Sequence, residues 1–165
     1  MNNFVIRTPQ SAMTVAAFEA VGAKPTPMAL AEVFTSLQQG TIEGQENPLA
    51  MIQNSSFYEV QDYVIRTEHL RAWVYIAMGL EQFNALPADL QQVVLDGGKE
   101  MQKYEHEIFL KNEEELESKL VEEGMEFVDV DQKAFSDAMT NGVLAVLTDS
   151  QKALYEKISA ANPDA

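Results

Sequence analysis

Phe4-Val5-Ile6-Arg7-Thr8-Pro9 is a short β-branched run stopped by a proline, the pattern of a strand that runs into a loop. Arg7 stands near the strand's carboxyl end. Directly after it, Met13, Ala16, Ala17, Ala20 and Val21 recur at helical spacing, with Ser11 placed to cap the first turn and Gly22 to end the last. The opening therefore reads as a strand, a short loop and a helix.

Further along, Thr26-Pro27 predicts a helix start, because a capping hydroxyl precedes a proline whose missing N–H costs nothing at the first helical position. That helix is expected to run to Leu37 or Gln39 and to end at Gly40. Thr41 to Glu43 reads as a short extended piece, and Asn47-Pro48 repeats the cap-then-proline signal at the start of another short helix. Tyr63-Val64-Ile65 and Ala72-Trp73-Val74-Tyr75-Ile76-Ala77-Met78 are β-branched and aromatic, the second apolar enough for a strand buried on both faces. Pro87 opens a long helix in which Leu90, Val93, Val94, Met101, Tyr104 and Ile108 track one stripe. It is expected to reach Val121, with a break near Asn112 and a weak point at Gly97-Gly98. After Gly124, Met125 to Val130 alternates with a period of two, a half-buried strand, and two further helices follow, the first capped by Asp131. Strands alternating with helices predict an α/β fold with a largely parallel sheet flanked by helices, in which ligands bind beyond the carboxyl ends of the strands.

Composition narrows the function. The 165 residues are 46% hydrophobic and 22% charged, as in a folded globular chain. With 26 acidic against 11 basic side chains the net charge is -15, which repels polyanions and argues against a nucleic-acid partner. There is no cysteine, hence no disulfide and no thiolate chemistry. Met1 to Thr8 carries no apolar run of signal-peptide length, and no stretch approaches a membrane span. Gly-x-Ser-x-Gly, a phosphate loop and Gly-x-Gly-x-x-Gly are all missing. His106 lacks the second histidine of a zinc-protease motif, and the acidic run from Glu113 to Glu123 lacks the spacing and turn glycine of a hard-cation loop. No metal and no cofactor is expected, and the acidic run reads as a solvated helical face.

Arg7 is the sharpest candidate for chemistry, since a guanidinium offers a planar fork matched to a carboxylate. From position alone, a surface pairing with one of the many acids explains it as well. Asn47 can donate its amide to a ligand oxygen, yet before a proline at a helix start it is more simply a cap. Glu46 reads either as a solvated side chain or as an acceptor orienting Asn47, Arg7 or a ligand hydroxyl.

The segment Gly22-Ala23-Lys24-Pro25-Thr26-Pro27-Met28-Ala29, then Glu32-Val33, Leu37-Gln38-Gln39-Gly40 and Gly44-Gln45-Glu46-Asn47-Pro48, strongly resembles the signature of the solute-binding proteins of tripartite ATP-independent periplasmic (TRAP) transporters. The resemblance extends through Ile6-Arg7-Thr8-Pro9, Phe57-Tyr58-Glu59-Val60 and Leu86-Pro87-Ala88-Asp89-Leu90-Gln91, and so covers most of the chain. It implies a periplasmic, non-catalytic protein that captures a small organic acid anion, a dicarboxylate or a sugar acid among the possibilities, and delivers it to membrane permease subunits. It further implies that Arg7 makes the salt bridge to the carboxylate with Asn47 in support, that Gln10 and Leu30 face the cleft, and that His69 and Trp73 shape the far end of the pocket. Leu30 stands where related proteins often place a phenylalanine. Family chains are about twice this length, so the resemblance implies a carboxy-terminal portion: residues 1–70 and 113–165 as the ligand-binding lobe, and residues 71–112 as a crossing strand and long helix shared with an absent amino-terminal lobe. The alternatives are a fragment that binds nothing efficiently, a homodimer through the exposed strand from Ala72 to Met78, and a carboxylate-dependent enzyme built on Glu46.

Overall fold

The computed structural model describes residues 1–70 and 75–161. Strand β1 (Val5–Thr8) and helix α1 (Ala12–Ala20) form where the sequence predicts them. Ser11 caps α1 by accepting a hydrogen bond from the Thr14 N–H at 3.3 Å. Gly22 ends the unit at a φ of 81°, a conformation that glycine adopts without a steric cost. The chain returns as β2 (Lys24–Pro27), parallel to β1, with Arg7 opposite Thr26. This corrects the helix expected from Thr26-Pro27. β2 is an edge strand, where a proline's missing N–H breaks no ladder bond, and helix α2 begins only at Val33–Gln38, after a 3-10 turn over Leu30–Glu32.

Strand β3 (Gly44–Gln45) lies on the other side of β1, again parallel, with Arg7 registered against Gln45. The three-stranded sheet thus has the order β2-β1-β3, with Arg7 on its central strand. Helix α3 (Leu49–Asn54) follows, flanked by Pro48 and with no side-chain cap. Asn47 is therefore not the cap its position suggested.

Strands β4 (Tyr63–Arg66) and β5 (Glu126–Asp129) pair in parallel as a second, two-stranded sheet. Between them the described residues form a short helix α4 (Leu80–Asn84), which the sequence reading did not anticipate, and a 35-residue helix α5 (Ala88–Glu122). α5 runs unbroken through Gly97-Gly98 and Asn112. An exposed asparagine costs a helix only about 0.7 kcal/mol at most, too little to interrupt a run rich in Glu, Lys and Leu. Helices α6 (Gln132–Val146) and α7 (Asp149–Ala161) complete the described chain.

The buried strand expected over Ala72 to Met78 is not found across Tyr75 to Met78, where Tyr75 is 83% and Ile76 72% exposed. Among the described residues no strand lies beside this piece, and an isolated strand leaves its backbone groups without partners. Ala72, Trp73 and Val74 lie outside the described residues.

Alternation along β1 divides the interior into two clusters. Ile6 packs with Ala17, Phe18 and Met139 under α1 and α6, whereas Val5 borders the larger cluster of Val33, Leu37, Phe57, Val64 and Leu120. Leu120, fully buried, anchors the carboxyl-terminal part of α5 there, while Leu90, Val94, Met101, Tyr104 and Ile108 leave a long apolar stripe of the same helix exposed. Arg66, at the end of β4, ties the second sheet to α5. It pairs with Glu117 and, at 3.0 Å, with Asp129, and it lies over the Phe127 ring at 4.9 Å. Glu117 is thus an ion-pair partner within a run that had read as a uniformly solvated face.

Asp131 caps α6 as predicted, accepting from the Ala134 N–H at 3.0 Å. Asp131→Ala is expected to lower stability by about 1 kcal/mol, read as a reduced urea midpoint at constant m-value. An unchanged midpoint would show that water serves the α6 terminus equally well.

Candidate functional site

Arg7 ends up inside the protein rather than on its surface, at 6% exposure. Its Nε and one Nη donate to the Met28 carbonyl at 3.1 and 2.8 Å. Met28 is held in turn, because its own N–H donates to the Thr8 carbonyl at 3.2 Å. The clamp uses two of the five guanidinium donors and leaves the outer Nη edge, a fork whose geometry matches a carboxylate, outside these bonds. Among the described residues, no Asp or Glu lies within ion-pair distance of Arg7. Among the described residues, the surface pairing that would have explained Arg7 without a ligand is therefore absent, and burying a cation without a counter-charge is costly.

Asn47 follows β3, whose register places Gln45 opposite Arg7. The Asn47 amide donates to the Gln45 side-chain oxygen at 2.6 Å, which ties it to the same end of the sheet. Glu46, between them, meets His69: Nε2 lies 3.4 Å from the Glu46 carboxylate, in ion-pair range but without hydrogen-bond geometry, and is otherwise buried without a partner. The other ring nitrogen, Nδ1, is 2.7 Å from the Thr67 hydroxyl. Glu68, between Thr67 and His69, has a φ of 45°, a left-handed turn uncommon for a glutamate. His69 is also held edge-on by Phe18, with ring centroids 5.2 Å apart.

The structure therefore gathers Arg7, Glu46, Asn47 and His69 around the carboxyl ends of β1 and β3. Gln10 is exposed on the loop after β1, and Leu30, 38% exposed, opens the turn that follows Met28. Neither makes a polar contact with the other four. Trp73 lies outside the described residues. A groove of about 240 Å³ opens beside His69 between α1, α6 and α7, lined mainly by Phe18, Met139, Val143 and Tyr155. Sequence reasoning missed the Met28 carbonyl, Gln45 and Thr67. Strand register would have revealed Gln45, but a backbone carbonyl that orients a guanidinium leaves no residue-type signal. Among the described residues no three His, Asp or Glu side chains converge as a metal site, and no helix is long and apolar enough to cross a membrane.

Residues 1–148 match the family of bacterial extracellular solute-binding proteins, family 7 (DctP). A solute-binding protein of Roseobacter denitrificans is 40% identical over 158 residues, 96% of this chain and 49% of the relative. Its crystal structure, a TRAP periplasmic solute-binding protein with bound L-galactonate, superposes with a TM-score of 0.81 over 94% of this chain and 52% of that one. The 2,3-diketo-L-gulonate-binding periplasmic protein YiaO of Escherichia coli is 34% identical over 139 residues, 84% of this chain and 42% of the relative. A second Roseobacter denitrificans structure, holding 3-deoxy-D-manno-oct-2-ulosonic acid, is 33% identical with a TM-score of 0.78 over 87% of this chain and 47% of that one. The chain spans about half the length of the curated relatives it matches. These relatives are solute-binding proteins rather than enzymes, and on the match over residues 1–148 the chain belongs to the family 7 extracellular solute-binding proteins, the binding components of TRAP transporters.

Proposed function

We propose that this chain supplies one lobe of a periplasmic binding protein that captures a small hydroxylated organic acid and delivers it to a membrane permease, with Arg7 as the carboxylate anchor. The observation that carries this reading is the burial of the Arg7 guanidinium with no acidic partner among the described residues, two donors fixed on Met28 and the outer edge making no hydrogen bond there. An anion on that edge neutralises a charge whose burial is otherwise costly. Asn47, tied to Gln45 beside it, can add a second donor. The acid sugars bound by the Roseobacter relatives and named for YiaO support the ligand class.

In the same reading, residues 1–70 and 113–165 form the ligand-binding lobe, and residues 71–112 are shared with a second lobe that closes over the acid. The exposed stripe of α5 from Leu90 to Ile108 and the buried Leu120 beyond it fit that division. Gln10, Leu30 and Trp73 then contribute to the cleft walls. A second reading, for the chain by itself, is self-association. An uncovered apolar stripe together with Tyr75 and Ile76 favours contact with another copy.

The ligand reading is tested by thermal shift on the two-lobed protein with a panel of hexonates, hexuronates, dicarboxylates and aromatic acids. A true ligand at about one hundred times its Kd adds about 2.7 kcal/mol of stability, a shift of several degrees. A panel in which no acid raises the melting temperature would remove the proposal. Light scattering of the 165-residue chain alone tests the second reading, and a monomeric mass would end it.

A further inference from the structure

Arg7 and Glu46 stand on neighbouring strands, offset by one residue, since Arg7 is registered against Gln45. With ~4.8 Å between strands and ~3.3 Å per residue, their Cα atoms lie ~6 Å apart, so both residues border the same end of the sheet. Their side chains flank the sheet end from opposite sides. The Arg7 guanidinium reaches Met28, which borders the larger cluster, whereas Glu46 meets His69 against Phe18 of the smaller one. The Glu46 side chain is 13% exposed, and among the described residues its one potentially cationic neighbour is His69. A neutral His69 leaves this side of the site at minus one, and a protonated His69 brings it to zero. Neither state provides a spare positive charge to match the one at Arg7.

Resting on the reading that Arg7 takes the ligand's carboxylate, we infer that the site selects hydroxylated acids with one carboxylate and rejects those with a carboxylate at both ends. Glu46 is the residue that sets this preference. A terminal hydroxyl can donate to the Glu46 carboxylate. A second carboxylate in the same place meets a mostly buried like charge with no cation to offset it, which is discrimination by repulsion rather than by an added attraction.

Galactonate and galactarate test this directly, because they share a six-carbon, four-hydroxyl chain and differ only at one terminus, a CH2OH in the first and a carboxylate in the second. Gluconate and glucarate form a second such pair. Calorimetry on the two-lobed protein is expected to show the monoacid of the preferred pair binding at least about tenfold more tightly than its diacid. Glu46→Gln is expected to shrink that ratio severalfold by strengthening diacid binding. A diacid that binds as well as its monoacid overturns the inference and leaves Arg7 in place. An unchanged ratio in Glu46→Gln removes Glu46 from the role. Binding of some other acid in the panel but of neither pair overturns the stated ligand class alone, whereas binding of no acid at all overturns the Arg7 reading with it.

Discussion

Arg7→Lys, made in the two-lobed protein, lowers affinity for the cognate acid about ten to a hundredfold while the protein stays folded. The expectation follows from what the guanidinium is doing. Two of its donors grip the Met28 carbonyl and hold the plane of the fork, so that in the proposed site the outer edge would present two parallel N–H groups to a carboxylate. A lysine keeps the charge, but it offers a single rotating ammonium that cannot serve the carbonyl and both carboxylate oxygens in that geometry. A charge-assisted contact contributes about 1.5–3 kcal/mol, which at 1.4 kcal/mol per decade gives the quoted range. Lysine is the informative substitution, because Arg7→Ala would also open a cavity and leave the Met28 carbonyl without these donors. Calorimetry gives the affinity, and circular dichroism checks that the fold persists. An affinity within twofold of the parent would remove Arg7 from ligand binding.

Gly142→Ala lowers the melting temperature, even though alanine is the better helix former. A methyl group at this position in α6 would run into the Ala16 carbonyl of α1 and come within 2.7 Å of the Ala20 side chain. Ala16 is main chain in a packed helix, so relief requires the two helices to separate. Overpacking of this kind costs about 1–3 kcal/mol, against a gain of about 1 kcal/mol from replacing a mid-helix glycine. Because backbone must move, the cost is placed at or above the upper end of that range, for a net loss of about 2 kcal/mol or more. In a chain of this size that is a drop of roughly 4–8 °C. Differential scanning calorimetry measures it, and an equal or higher melting temperature would show that α1 and α6 can part at little cost. The α1–α6 contact also covers Phe18, against which His69 rests, so a large shift here is expected to weaken binding as well.

Much of the fold could be read from local pattern because local physics decides those elements. Ser11 and Asp131 cap the helices their positions promised, and the alternation from Met125 to Val130 forms β5. Misreadings arose where two local signals are degenerate. Thr26-Pro27 is as good a helix start as it is an edge strand, and only the parallel pairing with β1 decides between them. Asn47-Pro48 failed in the same way, since α3 starts one residue later than the signal implied, with Pro48 in the cap position, while the Asn47 amide donates to Gln45, a neighbour known only once β3 exists. The apolar run through Tyr75 and Ile76 has the composition of a buried strand, but burial is a property of neighbours, and the described chain offers none. At the site, residue chemistry and family resemblance singled out Arg7, Glu46, Asn47 and His69 separately. Neither revealed that Glu46 and His69 meet, nor that a backbone carbonyl aims the guanidinium, because both facts depend on tertiary contact rather than residue type.

Helix α5 has a mechanical consequence. Its carboxyl-terminal part is fixed by Leu120 and by the ion pair of Glu117 with Arg66, while Leu90 lies thirty residues away, about 45 Å along the axis. A rod held at one end amplifies angle into distance, so a tilt of about five degrees at the anchor carries the far end through roughly 4 Å over that length. Repacking of a single side chain around Leu120 is therefore felt at Leu90 as a displacement larger than a methyl group, without any bend in the rod itself.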